Sequence, residues 1–275
     1  MAQNSGTVKE NLVCKSKILG YDVKYSIYLP NDYDKSSRSY PVLYLLHGYS
    51  DKETAWIQYA EVNNIADKLV ANREISPMII VMPDAKLTFY ANDYQNKNRY
   101  EDFFFQEFIP SIESLFRIRA QKQYRAISGL SMGGFGSLMY AMHHPDMFSA
   151  CVAFSSAVCT PDEIKDKDTQ LLERLSAVLG PIDSNKFEFP TYWCSNIPYF
   201  LAQTVDAEQL KTVKWYIDCG DGDFLTRGNC ALHEIFFNRQ IPHEFRVRDG
   251  YHNWDYWQSG IGDGLKFMSR QFRQY

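Results

Sequence analysis

Through residues 22–29 apolar and polar positions alternate, with Val23, Tyr25, Ile27 and Leu29 set against Asp22, Lys24, Ser26 and Tyr28. That period predicts a half-buried strand. Residues 8–18 precede it, Gly20 lies at the turn, and Pro30, Asn31 and Asp32 end it, so an antiparallel hairpin is expected at the start of the chain. Downstream the pattern changes to continuous apolar runs: PVLYLLHG (41–48), PMIIVMPD (77–84), YRAISGL (124–130), SACVAFS (149–155) and VKWYIDCG (213–220). Such runs predict strands buried on both faces, as in a parallel sheet covered by helices. HEFRVRDG (243–250) follows as a last strand. Helical stretches fall near 62–72, 101–117, 133–144, 227–239 and 254–273, the second with Phe104, Phe105, Phe108, Ile109, Ile112 and Leu115 on one broad face.

Strand and helix in repeated alternation indicate an α/β fold with a mostly parallel sheet, helices on both faces and the hairpin on an edge. Residues 157–206 break the rhythm. They are partly acidic, carry Phe187, Phe189, Tyr192, Trp193, Tyr199 and Phe200, and read as an insertion over the site. The 275 residues otherwise form one series without a linker, so a single domain is expected.

Charge and cysteine content exclude several roles. A net charge of −4 with interspersed signs argues against nucleic acid as a partner. No apolar run has the length of a membrane span. Cys14, Cys151, Cys159, Cys194, Cys219 and Cys230 form no CxxC pair, so neither a metal nor any other cofactor is expected. Cys151 reads as a buried thiol, and a Cys219–Cys230 bridge is conceivable in an exported protein. MAQNSGTVKE has no apolar stretch. The chain is therefore expected to be secreted or periplasmic, with the export signal absent from the sequence as given, or else cytoplasmic. A homo-oligomer is compatible with the sequence.

The chemistry is carried by ISGLSMGGFGSL (127–138), where Gly129-Leu130-Ser131-Met132-Gly133 forms G-x-S-x-G. Chance yields roughly 0.1 such matches in a chain of this size, so the pattern alone is only suggestive. Its context is stronger: an apolar strand precedes it and a helix of small residues follows, the setting of a nucleophile elbow in an α/β-hydrolase. Gly129 and Gly133 give the sharp turn room, and Gly134 and Gly136 let the helix approach the sheet. Ser131 is the expected nucleophile.

In this fold the acid and then the base follow the serine along the chain. His233 falls in a helix and His243 begins a strand at its far end, whereas His252 lies between the last strand and the last helix. His252 is the expected base. The orienting acid comes from IDCGDGDFL, where Asp218, Asp221 and Asp223 compete. Asp223 is favoured because Phe224 and Leu225 can dock the loop, the other two reading as turn or capping residues.

The oxyanion is expected to meet the backbone N–H of Met132 and of Tyr49, with Gly48 as alternative to Tyr49. His47 reads as a brace for that loop. Aromatics make up 15% of the chain, and Tyr90, Trp193, Trp254 and Trp257, with Gly48, are the expected substrate-binding residues.

The stretches SIYLPNDYDKSSRSYPVLYLLHGYSDKETAW, FFFQEFIPSIESLFRI, ISGLSMGGFGSLMYAMHHPDMFSA, CGDGDFL and GYHNWDYW together resemble the esterase D-like "putative esterase" family. The likeness runs from about residue 10 to residue 270. That family includes feruloyl and acetyl-xylan esterases of carbohydrate esterase family 1, S-formylglutathione hydrolases and tributyrin-type esterases. The resemblance implies the α/β-hydrolase fold, serine esterase activity, the acid at Asp223 and the oxyanion donors at Tyr49 and Met132. HGYSDKETAW departs from the SGLTC-like stretch of the glutathione enzymes, and YPVLYLLHG, followed later by the glycine-to-tryptophan stretch around His252, is similar to the plant cell-wall enzymes of gut and rumen bacteria. The expected substrates are therefore feruloyl or acetyl esters on xylan, the alternative being a cytoplasmic short-chain or thioester esterase.

Overall fold

A computed structural model describes residues 5–166, 169–182 and 189–272. Among them, one eight-stranded sheet runs in the order β1-β2-β4-β3-β5-β6-β7-β8. The strands are β1 Thr7–Cys14, β2 Val23–Leu29, β3 Val42–Leu46, β4 Ile79–Pro83, β5 Arg125–Leu130, β6 Ala150–Phe154, β7 Lys214–Gly220 and β8 His243–Arg248. β1 and β2 pair antiparallel, β2 joins β4 antiparallel, and the rest of the sheet is parallel. This is the α/β-hydrolase arrangement that the apolar runs predict.

Alternate side chains of each strand feed two cores. Val42, Tyr44, Leu46 and Ile127 pack on the side of the helices Met132–His143 and Thr226–Asn238. Leu43, Leu45, Ala126 and Leu130 face the helices Val62–Ala71 and Trp254–Phe272. β2 differs from its pattern. Ser26 and Tyr28, on the polar side of the alternation, are fully buried. The strand is interior, between β1 and β4, and the Tyr28 hydroxyl donates to Asp67 Oδ1 at 2.7 Å from the helix beneath. The long aromatic helix is also less regular than predicted. It runs from Tyr100 to Leu115 through a π-helical turn at Phe104–Phe108, which rotates Leu115 outward to 64% exposure.

Where described, residues 157–206 form a layer of short helices whose apolar side chains join the core on the side of Met132–His143. Trp193 is completely buried and its indole donates to the Gly180 carbonyl at 2.9 Å, while Phe189, Tyr192, Tyr199 and Phe200 pack around the same core. Phe187 lies outside the described residues. The layer is tied to the body by Glu101, a buried carboxylate that meets His143 Nδ1 at 2.7 Å and His144 Nε2 at 3.1 Å. His143 Nε2 in turn meets the Ser195 carbonyl of the insertion at 2.7 Å.

Burial raises the Glu101 pKa, but the hydrogen bonds and charge of His143 and His144 outweigh it and bring it down to about 2. Burial lowers that of His143, and Glu101 more than reverses this, so it ends raised. Stability from Glu101 is therefore present above its ordinary 4.5 and is lost as pH falls toward about 2. Stability from His143 is present below its ordinary 6.5 and is lost as pH rises through its raised value. Glu101→Gln should show its largest fall in melting temperature between pH 4.5 and 6.5. Melting curves across pH check this; a deficit that is flat with pH would refute the ion-pair account.

Candidate active site

The site forms where β5 ends at the centre of the sheet. Ser131 follows Leu130 with φ 53° and ψ −115°, and the helix Met132–His143 begins immediately. A non-glycine residue in this region costs about 1–3 kcal/mol, so its surroundings must hold it there. The Ser131 N–H donates to the Phe154 carbonyl at 2.9 Å, and the Ser131 carbonyl accepts from Phe135 N at 2.9 Å and Ala157 N at 3.0 Å. The turn is thus clamped to the end of β6. A Cβ on Gly129 would lie 2.4 Å from the Gly133 carbonyl, and one on Gly133 would lie 2.4 Å from the Leu46 carbonyl. Gly136 has a different neighbour from the one expected: it abuts the Tyr90 ring and not the sheet.

β7 lies beside β6 and β8 beside β7, and the loops that follow them are stitched together. Asp221 N donates to the Arg248 carbonyl, Gly222 N to the Gly250 carbonyl, and Gly250 N to Asp221 Oδ1, at 2.9, 3.0 and 3.1 Å. This brings the stretches carrying Asp223 and His252 side by side. His252 Nδ1 lies 2.8 Å from Asp223 Oδ2, and His252 Nε2 lies 3.0 Å from Ser131 Oγ. A carboxylate only accepts, so the proton sits on Nδ1, and Nε2 is left to accept from the serine hydroxyl. Asp223 is 5% exposed, and its Oδ1 also accepts from Leu225 N at 2.9 Å. Burial raises the Asp223 pKa, but the hydrogen bond and charge of His252, the Leu225 amide and the Ser155 hydroxyl outweigh it, so the group is held below its ordinary value.

The rival aspartates have other roles. Asp221 is the stitch just described. Asp218 is no turn or capping residue: it is fully buried within β7 and accepts from Tyr216 at 3.0 Å, from Arg248 Nε at 3.1 Å and from Tyr256. Of the two side chains expected to dock the loop, Leu225 is buried, but Phe224 is 64% exposed and stands 4.6 Å from the His252 ring.

Residues 47–49 pass beside the serine, since a Cβ on Gly48 would come 3.7 Å from Ser131 Cβ and 2.6 Å from Leu130. His47 braces this loop, its Nδ1 donating to the Gly48 carbonyl at 2.8 Å and its Nε2 accepting from Ala85 N at 2.9 Å. The backbone N–H groups of Tyr49 and Met132 meet no acceptor among the described residues. Tyr90, expected to touch substrate, is instead a second brace. It is wholly buried and its hydroxyl donates to the His47 carbonyl at 3.0 Å. Trp193 is likewise removed from the substrate-facing set by its burial in the insertion.

Two pockets meet at Ser131. The smaller is walled by Phe89, Met132, Ala157, Leu171, Phe224 and Leu225. The larger is walled by Gly48, Asp51, His252, Asn253, Trp254 and Trp257. Tyr49, Arg174 and Phe224 border both, with the Arg174 guanidinium 4.5 Å from the centre of the Tyr49 ring. Phe89, Leu171, Arg174 and Ser155 carry no motif and went unforeseen. Ser155 lies behind the acid and accepts from the Trp257 indole at 3.0 Å. All six cysteines are free thiols, so the conceivable Cys219–Cys230 bridge is not formed. Cys219 instead lies 3.7 Å from the Thr226 hydroxyl. Among the described residues, no cluster of three His, Cys, Asp or Glu is placed to hold a metal, and no helix is long and apolar enough to cross a membrane.

Comparison with known proteins gives a consistent set of relatives. The family model described as "Putative esterase" matches residues 16–268. An endo-1,4-beta-xylanase/feruloyl esterase of Xylanibacter ruminicola is 34% identical over 152 residues, 51% of this chain but 20% of that protein. This chain therefore matches about a fifth of that relative's length. An acetyl esterase of Caldicellulosiruptor saccharolyticus is 24% identical over 250 residues, 86% of either chain. A solved ferulic acid esterase superimposes with a TM-score of 0.83 at 33% identity, over 98% of this chain and 99% of that one.

Because a Cβ at 133 meets backbone and not a movable side chain, Gly133→Ala must displace the elbow. The variant should fold with the wild-type circular dichroism spectrum yet react with a fluorophosphonate at least about 100-fold more slowly, the scale expected when one oxyanion donor is lost. Labelling at the wild-type rate would show that the elbow tolerates the shift.

Proposed function

The chain belongs to the "Putative esterase" family and is a carboxylic ester hydrolase, and we propose that it releases feruloyl (hydroxycinnamoyl) groups from plant cell-wall xylan through an acyl-enzyme on Ser131. On this reading the whole chain is one catalytic domain, with 157–206 as its cap.

Ser131 Oγ attacks the ester carbonyl while its proton passes to His252 Nε2. Asp223, ionised at neutral pH, holds the Nδ1 tautomer and stabilises the imidazolium. The Tyr49 and Met132 N–H groups receive the oxyanion. The tetrahedral intermediate collapses as Nε2 returns the proton to the leaving sugar alcohol. Water then repeats the sequence and frees the acid.

The observation that carries the acyl choice is the asymmetry of the two pockets. The leaving alcohol must stand next to the group that protonates it, and His252 borders only the larger pocket. The acyl group then occupies the smaller one, whose walls are Phe89, Leu171, Phe224 and Leu225. These walls are apolar and two of them aromatic, with the Arg174 guanidinium and the Tyr49 ring at the border, a lining that suits a flat aromatic acid. The full-length likeness to a ferulic acid esterase supports the same choice.

Ser131→Ala should lower kcat on methyl ferulate by about 10⁶-fold and abolish fluorophosphonate labelling. Asp223→Asn should cost about 10⁴-fold in kcat, and Asp221→Asn far less. Equal losses from the two aspartate variants would reverse their assignment. Leu171→Trp should fill the acyl pocket, so that methyl ferulate turnover collapses while p-nitrophenyl acetate turnover persists. If both substrates are lost together, or neither, the small pocket does not receive the acyl group.

A further inference from the structure

The larger pocket does not end at its rim. From His252 a file of aromatic rings leads outward: Trp257 stands edge-on to the imidazole at 4.9 Å, Trp254 edge-on to Trp257 at 5.3 Å, and Tyr59 tilted against Trp254 at 5.2 Å. The inner members are fixed. Trp257 is 5% exposed and bonded to Ser155, and Trp254 is wedged edge-on against the buried Trp56, whose indole donates to the Leu46 carbonyl. The outermost ring is open: Tyr59 is 55% exposed, although it follows the short helix Ala55–Gln58, which buries Trp56. What sets this ring apart from the other exposed aromatics is its place at the end of a file that starts at the imidazole.

Polar groups lie along the same edge. Asp51 and Asn253 border the larger pocket with Trp254. Asn253 Oδ1 accepts from Tyr256 N at 3.0 Å, which fixes the side chain and turns its amide donors to other use. Flat aromatic faces flanked by a carboxylate and an amide are the chemistry that holds sugar rings: the C–H faces of the ring stack on aromatics, while the hydroxyls donate to carboxylate and accept from amide. Rigid rings of this kind also lose little conformational entropy on binding.

We propose that Tyr59 and Trp254, edged by Asp51 and Asn253, form a subsite for the pentose chain that bears the ester, on the leaving-alcohol side of Ser131. The subsite rests on the assignment of the larger pocket to the alcohol but not on the identity of the acyl group. It gives the enzyme purchase on a polymer beyond the bond it cuts, so a simple alkyl ester forgoes that binding.

The test compares Tyr59→Ala with the wild type on two matched pairs: feruloylated arabinoxylan oligosaccharide against methyl ferulate, and acetylated xylo-oligosaccharide against p-nitrophenyl acetate. The oligosaccharide-to-simple-ester ratio of kcat/KM should fall roughly threefold to tenfold, through KM, the scale of one aromatic contact. Separately, Ser131→Ala protein should bind unesterified xylotetraose with quenching of tryptophan fluorescence, and the added Tyr59→Ala change should weaken that binding by a similar factor. An unchanged ratio in both pairs, or no xylotetraose binding by Ser131→Ala protein, would overturn the subsite. Failure of the feruloyl pair in the wild type, with the acetyl pair still active and sensitive to Tyr59, would overturn the acyl assignment alone.

Discussion

A serine held in backbone conformation that serine avoids is the constraint on which the site depends. Left alone, Ser131 at φ 53° would relax, and its hydroxyl would turn away from His252. Three backbone hydrogen bonds to Phe154, Phe135 and Ala157 prevent this, and two of them come from the end of β6 and the residues just beyond it. Those partners are themselves fixed by pairing of β6 between β5 and β7 deep in the sheet. Strain at one residue is thus carried by strands buried on both faces, where packing leaves no room to yield.

The same strands set the distance between the serine and its partners. β7 and β8 are parallel neighbours, so the loops that follow them emerge on one side and can be stitched through Asp221 and Gly250. Behind the stitch, the buried Asp218 and the half-buried Arg248 tie β7 to β8 in an ion pair whose carboxylate also accepts from Tyr216 and Tyr256. The imidazole is therefore positioned from below by charge and from the side by backbone. Trp257 adds a further contact, standing edge-on to His252 while its indole nitrogen reaches Ser155 behind Asp223.

Much of this was legible in the sequence because it follows from local rules. Continuous apolar runs mark β3 to β7 as interior strands, and G-x-S-x-G between a strand and a helix of small residues marks the elbow. What escaped was non-local or depended on backbone handedness. Tyr90 was expected at the substrate, but with positive φ at both Phe89 and Tyr90, 51° and 61°, it is Phe89 that reaches the pocket while Tyr90 goes under the loop. Leu171 and Arg174 arrive from an insertion whose acidic composition carries no sign of its position. Trp193 shows the reverse error, a large ring in an irregular segment that proved to be part of the main core on that side of the sheet.

The unpaired cysteines have a further consequence. Burial pushes the thiols of Cys14, Cys151, Cys194 and Cys230 above their ordinary value, and that of Cys219 up to about 12. Thiolate is the form that attacks electrophiles, exchanges with disulfides and oxidises in air. At those five sulfurs it is scarce at neutral pH, and a reagent selective for thiolate finds little to attack there. The ready nucleophile at neutral pH is therefore the Ser131 oxygen and none of these five sulfurs.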